Sequence, residues 1–474
     1  MQEQKQGHLV RSLGLFSVFI LTVSSVIGSG IYKKVAPMSA VLQLPSLVLT
    51  CWVLAGVITL CGALSNAEVA GLLAESGGEY VYYRKIYNKF FAFLFGWSSF
   101  TAIRSASAAS IAYVFAQSLN SLAPLPVLPE SWASVSLFGA FTPFDNFGVK
   151  VIAILLIIGL SYVNYRGLKL GQGISKTVLI IVVSSIFLII VLGLTLGGGS
   201  LKNFQTPATG YVPLSFFDNG FLGSIFAALL AAFWAYEGWS PIGYLGGEIK
   251  NANRNLPLAL IFGVLFVMLV YVTINFTYLW VLPIDEIIRV HQLQNKIAAL
   301  EVIRHFLGSG GALAISLLIL LTTFGTTNTT LLPPPRLYYA MAKEGMFFKG
   351  AAYIHPKYNT PSKAILFQAC WSGVLVLSGS FDQLTDMLIF ASFIFYGATA
   401  LGVFVLRVKM PDAHRPYKAW GYPVVPALFI LFCVLLVSVT LLARPREALF
   451  GLSLMAAGLP FYWYWNRKRK SFIT

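Results

Sequence analysis

Two ionisable side chains stand inside stretches otherwise fit for hydrocarbon: Arg104, within FTAIRSASAAS, and Glu237, within FWAYEGWSP. A charge at bilayer depth costs about 2.5–3.5 kcal/mol on insertion scales, so each must face a cavity or a partner. They read as an ion pair or as groups lining a pathway. Gly238 follows Glu237 directly, and 210 residues before it the apolar run 13–32 is interrupted by Gly28-Ser29-Gly30. Glycine weakens a helix, and unwound backbone survives in a bilayer only where it lines a cavity or is covered by protein. A helix that stops before Gly28 and restarts around Ser29 presents N–H groups at the start of its second half. It presents carbonyls, from about Ser25 to Ile27, at the end of its first. The N–H end suits a carboxylate and the carbonyl end an ammonium, so one interruption offers both poles for a zwitterion. A glycine-mediated helix contact explains a single triplet equally well. The second interruption shifts the balance, because paired broken spans in two halves of a chain mark the binding site of secondary transporters. Around that break, Trp234, Tyr236 and Trp239 are placed to close over a ligand side chain.

The elements that must hold these residues are membrane spans. The chain is 57% hydrophobic and only 11% charged, against about 25% charged in ordinary soluble chains. No n-region and cleavage site sets the first apolar segment apart as a removable signal, so it is expected to remain as a span. At roughly 20 apolar residues per crossing, the pattern predicts twelve helices, near 13–43, 45–71, 91–119, 149–166, 177–197, 221–246, 257–281, 311–335, 363–379, 383–406, 423–443 and 447–465. Counting alternate sides places 23 of the 33 Lys and Arg residues on one side, while 120–149 holds none. Basic residues collect in cytoplasmic loops. That puts both termini in the cytoplasm, and it reads the net charge of +16 as a membrane signature rather than a nucleic-acid one. Spans 1–5 and 6–10 each begin with a broken helix, and an odd number of spans per unit gives the two units opposite topology.

Six motifs resemble the amino acid–polyamine–organocation superfamily, specifically its L-type amino acid transporter branch, over nearly the whole length. They are GSGIY at 28–32, SGGEYVYYR at 76–84, AYEGWSPIGYLGGEIKNANRNLP at 235–257, FGTTNTT at 324–330, RLYYAMAKEG at 336–345 and HPKYNTP at 355–361. The resemblance implies an all-α membrane protein of 12 transmembrane helices in a LeuT-like 5+5 inverted repeat with broken first and sixth helices. Its parts are a cytoplasmic N-terminus at 1–12, a first repeat at 13–197, a second at 221–406, two extra spans at 423–465 and a basic cytoplasmic tail at 466–474. It implies an L-amino acid carrier working by alternating access as exchanger or facilitator, located in the plasma membrane, which in bacteria is the inner one. The alternative is a proton-coupled amino acid, amine or polyamine symporter. Polyamines need several cavity carboxylates, whereas one stands out here, Glu237.

By the same resemblance, the substrate carboxylate meets N–H groups of Ser29, Gly30 and Ile31. Its ammonium meets carbonyls of Val26 and Ile27 on one side and of Trp234, Ala235 and Glu237 on the other. Gly28, Tyr236 and Gly238 complete the two breaks, Trp234 holds the place of an aromatic gate, and Ser240 that of a residue selecting the substrate side chain. Many members carry a lysine in the fifth span that stands in for a sodium ion; an ungapped match puts Val183 there, with Lys176 nearer the cytoplasmic mouth. Eukaryotic members join a glycoprotein through a cysteine in the external segment after the third span. No cysteine lies in 120–149, so a single subunit without a disulfide-linked heavy partner is expected.

Remaining features read structurally. Cys51, Cys61, Cys370 and Cys433 all lie in apolar runs and look like small core residues rather than a disulfide or metal framework. The chain shows no CxxC, HExxH or P-loop, so neither cofactor nor metal nor catalytic site is expected. Lys33 and Lys34 should snorkel toward the outer vestibule. Glu68 should be a structural or inner-gate carboxylate, and Pro333-Pro334-Pro335 should kink or end the eighth span. Segment 78–89 should lie at the cytoplasmic interface, and 284–307 should form an external amphipathic helix.

Overall fold

The computed structural model describes residues 11–28, 30–135, 143–212, 219–292, 297–378 and 381–470. Among them there are helices and no strands, apart from two isolated bridges. The first apolar run is divided into α1 (Leu15–Val26), α2 (Gly30–Lys33) and α3 (Val35–Leu42). The last two continue one another through Lys34, whose N–H bonds the Gly30 carbonyl at 3.0 Å. α4 (Pro45–Leu72) opens on a proline, whose missing N–H costs nothing in a first turn. α5 (Glu79–Ile86) is short. α6 (Lys89–Ser98) is capped by Asn88, whose side chain accepts the Phe91 N–H at 2.9 Å. A π turn, Ser99–Ile103, joins α6 to α7 (Arg104–Leu122).

The chain continues through α8 (Glu130–Ala133), α9 (Phe147–Arg166), α10 (Leu168–Leu196) and α11 (Lys202–Gln205) to α12 (Asn219–Tyr236). After α12 the backbone turns at Glu237 and Gly238 and resumes as two 3₁₀ turns, Ser240–Tyr244 and Gly246–Glu248. α13 (Ala252–Val281), α14 (Ile284–Gln292) and α15 (Ala298–Leu331) follow. α16 (Pro334–Lys343), α17 (Ser362–Ser378), α18 (Phe381–Lys409), α19 (Val424–Ala443), α20 (Pro445–Ala456) and α21 (Leu459–Lys470) complete the order.

Nine helical stretches among the described residues are long and apolar enough to cross a bilayer. They are 15–33, 45–72, 147–166, 173–196, 220–244, 252–281, 313–343, 384–409 and 424–443. The three other expected spans fall short for separate reasons. α7 is rich in serine and alanine and carries Arg104, because it faces protein rather than lipid. α17 has only 17 residues, and the last apolar run is divided at Ala457 and Gly458 into α20 and α21.

Burial sorts the bundle. Of the apolar windows, 76% is buried in 15–33 and 72% in 313–343, against 28% in 173–196 and in 424–443. The broken first segment and α15 are therefore central, and α10 and α19 face lipid. α1 packs on α13, α10 and α15, and α4 on α13, α12 and α18. Two backbone seams tie the halves together. Ser12 and Leu13 N–H groups donate to the Glu248 carbonyl at 2.9 and 3.0 Å, and the Lys250 N–H returns to Leu13 at 2.8 Å. A second bridge pairs Ser76 with Leu245.

Several expectations need correction. Segment 78–89 is only partly at the surface: Lys85, Asn88 and Lys89 are exposed, but Glu79 to Tyr83 and Ile86 are buried, because α6 and α18 pack on α5 and Tyr83 bonds the Phe395 carbonyl. The external segment is not one helix but α14 and the start of α15, which kinks at Gly308 (φ 63°). The triple proline does end α15, with Pro334 and Pro335 in the first turn of α16. Cys51 and Cys433 are buried, but Cys61 is only half-buried and Cys370 is exposed.

Candidate functional site

The two interruptions abut. α1 ends with Ile27 in extended conformation. A Cβ added to Gly30 would stand 2.5 Å from the Ala235 Cβ and 2.6 Å from its Cα, so only glycine lets α2 approach α12 this closely. Gly238 has φ +112°, a conformation open to glycine, and its Cα faces the Ser25 carbonyl. The glycines thus serve helix contact as well as interruption; the two readings of the triplet describe the same backbone. Ser29 lies outside the described residues.

The freed carbonyls at the break are met by hydroxyls. Tyr271 donates to the Val26 carbonyl at 2.9 Å and to the Ala235 carbonyl at 3.0 Å, pinning the two breaks from α13. Thr326 donates to Ile27 at 2.6 Å and Thr329 to Ser24 at 3.1 Å, both from α15. The Trp234 carbonyl receives the Glu237 N–H at 3.3 Å. A carbonyl has two lone pairs, so these bonds orient the acceptors and leave each one site for an ammonium.

Arg104 and Glu237 pair at 2.8 Å with side chains 3% and 4% exposed. Tyr396, from α18, donates to both Glu237 oxygens at 2.8 Å. The guanidinium also donates to Ser240 at 3.0 Å and to the Tyr244 hydroxyl at 3.3 Å. The π turn just before Arg104 shifts the helix register, a device common at functional sites. Its loosened carbonyls are covered by Trp371, which bonds Thr101 at 3.0 Å, and by Tyr338, which bonds Ser99 at 3.4 Å.

A cavity of about 20 Å³ lies between the breaks, space for about one water. It is lined by Ser25, Val26, Gly28 and Gly30 from the first break, and by Trp234, Ala235 and Glu237 from the second. Ser107 and Ile111 of α7 and Thr326 of α15 close it. Of the residues expected at the site, Ile27 turns its carbonyl to Thr326, and Ile31 is buried beside the cavity in α2. Tyr236 points away, donating to the Trp52 carbonyl at 3.2 Å. Ser240 is held by Arg104 rather than lining the cavity. Val183 packs on the core, Lys176 is exposed, and Lys33 bonds Gln117 at 3.1 Å. Lys34 is buried at the edge of a separate cavity of about 300 Å³. Glu68 pairs with Arg407 at 2.7 Å and with Arg415 at 3.3 Å. Sequence reasoning missed Tyr271, Tyr396 and the role of FGTTNTT, whose threonines recur every three or four residues and so share one face of α15.

The sequence matches a known family. The model described as amino acid permease covers residues 13–457. The chain belongs to the amino acid permease family. It is 32% identical to the human b(0,+)-type amino acid transporter 1 over 97% of this chain and 89% of that one. It is 30% identical to the serine/threonine exchanger SteT of Bacillus subtilis strain 168 over 98% of both. Human large neutral amino acids transporter small subunit 2 is 29% identical over 98% of this chain and 82% of its own length. The permease is a multi-pass membrane protein, with its apolar helices arranged around the two breaks.

Proposed function

We propose that this permease exchanges small L-amino acids across the bacterial inner membrane by alternating access, as a single subunit. The reading takes twelve spans in a LeuT-like 5+5 inverted repeat, with both termini in the cytoplasm. The observation that carries it is the abutment of two interrupted helices over a closed cavity. One side of that cavity is the N-terminal end of α2 and the other is a set of oriented carbonyls. Substrate carboxylate would meet N–H groups of Ser29, Gly30 and Ile31, which a helix start leaves without intrahelical partners. Its ammonium would take the second lone pairs of Val26, Ile27 and Ala235, with Trp234 as the lid. A cavity of about 20 Å³ admits no amino acid, so substrate entry requires the breaks to part, which is the motion alternating access needs. Serine and threonine hydroxyls from Ser25, Ser107 and Thr326 line it, which favours small polar substrates. The kinship with a serine/threonine exchanger agrees.

Glu237 in this state is compensated by one guanidinium and by the Tyr396 hydroxyl, whose single proton lies between its two oxygens. That favours a fixed pair shaping the pocket over a carboxyl that loads and unloads a proton. The segment 120–149 offers no cysteine to a heavy partner, which supports the single subunit.

The test is uptake of labelled L-serine and L-threonine into proteoliposomes loaded with either amino acid, against empty ones. Exchange predicts uptake that needs internal substrate and ignores sodium. Equal uptake into empty vesicles would make the protein a facilitator, and no uptake of any L-amino acid would sink the reading.

A further inference from the structure

Glu79 is the carboxylate that the site does not use. It begins α5, outside the spans, and is 2% exposed, yet neither carboxylate oxygen has a hydrogen-bond partner. Its position is fixed by the turn after the second break. Gly78 has φ +50°, and a Cβ there would strike the Tyr244 ring at 2.5 Å. Gly77 N–H bonds the Tyr244 carbonyl at 3.3 Å. A Cβ on Gly243 would lie 3.9 Å from Glu79 Oε2. The acid therefore sits under the 3₁₀ turn that leads away from Glu237.

The groups around it are few. Arg104 faces it from α7, Glu237 from the end of α12, the Ser240 hydroxyl and Tyr244 from the 3₁₀ turn and Tyr82 and Tyr83 from its own helix. Ser240, held by Arg104, favours the ionised acid but makes no close hydrogen bond to it. Tyr396 reaches the same guanidinium from α18. Other carboxylates on this face have cations of their own. Glu75 pairs with Lys85, Glu344 with Arg84, Glu248 with Arg336, and Glu68 with Arg407 and Arg415. Among these described carboxylates, Glu79 is the one whose nearest cation already belongs to another acid. A buried carboxylate left without donors neutralises rather than stays charged. Burial pushes its carboxyl up to about 7, with Arg104 pulling the other way.

We propose that Glu79 is a proton-binding site, whose ionisation competes with Glu237 for Arg104 and so couples opening of the breaks to the pH on the α5 side. With the proton on, Arg104 stays on Glu237 and the second break is locked to α7. When the proton leaves to solvent, two carboxylates share one guanidinium. Three of its five N–H donors are engaged by Glu237, Ser240 and Tyr244, and a bidentate or bridging arrangement becomes favourable. The pull on Arg104 is then divided, which loosens the pair at the cavity. The coupling part rests on the exchange reading above; the proton site does not.

Two measurements separate them. Infrared difference spectra of the full chain in detergent, titrated from about pH 5.5 to about pH 8.5, should show a protonated-carboxyl band lost with a midpoint near 7. That band should be absent in Glu79→Gln and present with a shifted midpoint in Glu79→Asp. A parent with no such band, or a Glu79→Gln variant that keeps it, overturns the proton site. In proteoliposomes, serine exchange by the parent should change several-fold across the same range, whereas Glu79→Gln should exchange at a rate independent of pH. Parent exchange that is active but flat, or a variant with the parent's profile, overturns the coupling. No exchange in either protein, with the band intact, faults the transport reading and the coupling that rests on it.

Discussion

Arg104 is the residue on which most of the site's order depends, since three side chains from two elements, Ser240 and Tyr244 of the 3₁₀ turn and Tyr396 of α18, converge on its pair with Glu237. Removing one member of a buried pair leaves an uncompensated charge and costs about 3–5 kcal/mol, whereas replacing both with apolar groups is often neutral. Arg104→Met is therefore expected to lower the melting temperature sharply in detergent. Arg104→Met combined with Glu237→Leu should regain most of that stability without regaining transport. A double variant as unstable as the single one would mean that Arg104 holds the fold by packing rather than by charge. This pair was legible in the sequence, because two charges in apolar surroundings have few ways to be tolerated. Tyr271 was not legible. A tyrosine in an apolar helix gives no sign of where its hydroxyl points, and only the fold brings it to Val26 and Ala235 at once. Tyr271→Phe removes the hydroxyl whose one proton is shared between these carbonyls, a loss of about 1 kcal/mol. It should loosen both breaks, seen as a lower melting temperature and faster amide exchange around residues 24–31.

At the scale of elements, Gly30 lets the backbones of the two broken helices touch in this closed state. Gly30→Ala is expected to unseat α2 from α12 and abolish substrate binding. Adding Ala235→Gly should not restore it, because the Cα of residue 235 itself lies 2.6 Å from the new Cβ. Isothermal titration of the purified double variant with L-serine checks this; recovered affinity would show that only the two methyl groups conflict. Trp234 tests the lid separately. Trp234→Ala should slow exchange more than it weakens equilibrium binding, since a lid commits substrate rather than holding it. Equal losses in both would make Trp234 an ordinary wall. The positions of the breaks were readable from glycine and glutamate in apolar runs, but their form was not. The sixth segment resumes as 3₁₀ turns rather than a helix, with Pro241 in the first of them. The π turn before Arg104 left no mark at all, since Ser-Phe-Thr-Ala-Ile is equally compatible with an α-helix.

For the molecule as a whole, the face rich in basic residues is closed by ion pairs joining distant segments. Glu68 on α4 receives Arg407 from α18, Arg415 from the following loop and the Ala419 N–H at 2.6 Å. Glu68→Gln should free that loop, giving faster tryptic cleavage between residues 409 and 418 while the remaining helices resist. Unchanged cleavage would show that the aromatic packing of Tyr422 under Arg407, 3.7 Å to the ring centre, suffices. Here the sequence was silent about partner: counting Lys and Arg sorts loops between two sides and says nothing of which carboxylate each cation meets. The same limit applies to span number. Helices that face protein, such as α7, are built from serine and alanine, so hydropathy under-reports them.

The seam between Ser12-Leu13 and Glu248-Lys250 is made entirely of main-chain bonds, and that has a bearing on how such a chain can diverge. Any residue with a free N–H can make these bonds, so identity at the seam is set by side chains alone: Leu13 and Ile249 are buried and Glu248 pairs with Arg336, while Ser12 and Lys250 are exposed. Gain or loss of one residue between the seam and α1 turns the following helix by about 100° and carries its side chains off their contacts. Relatives of this permease should therefore differ freely in identity at the exposed positions 12 and 250, hold an apolar residue at 13 and 249 and the acid at 248, and keep the spacing from each seam to its broken helix unchanged.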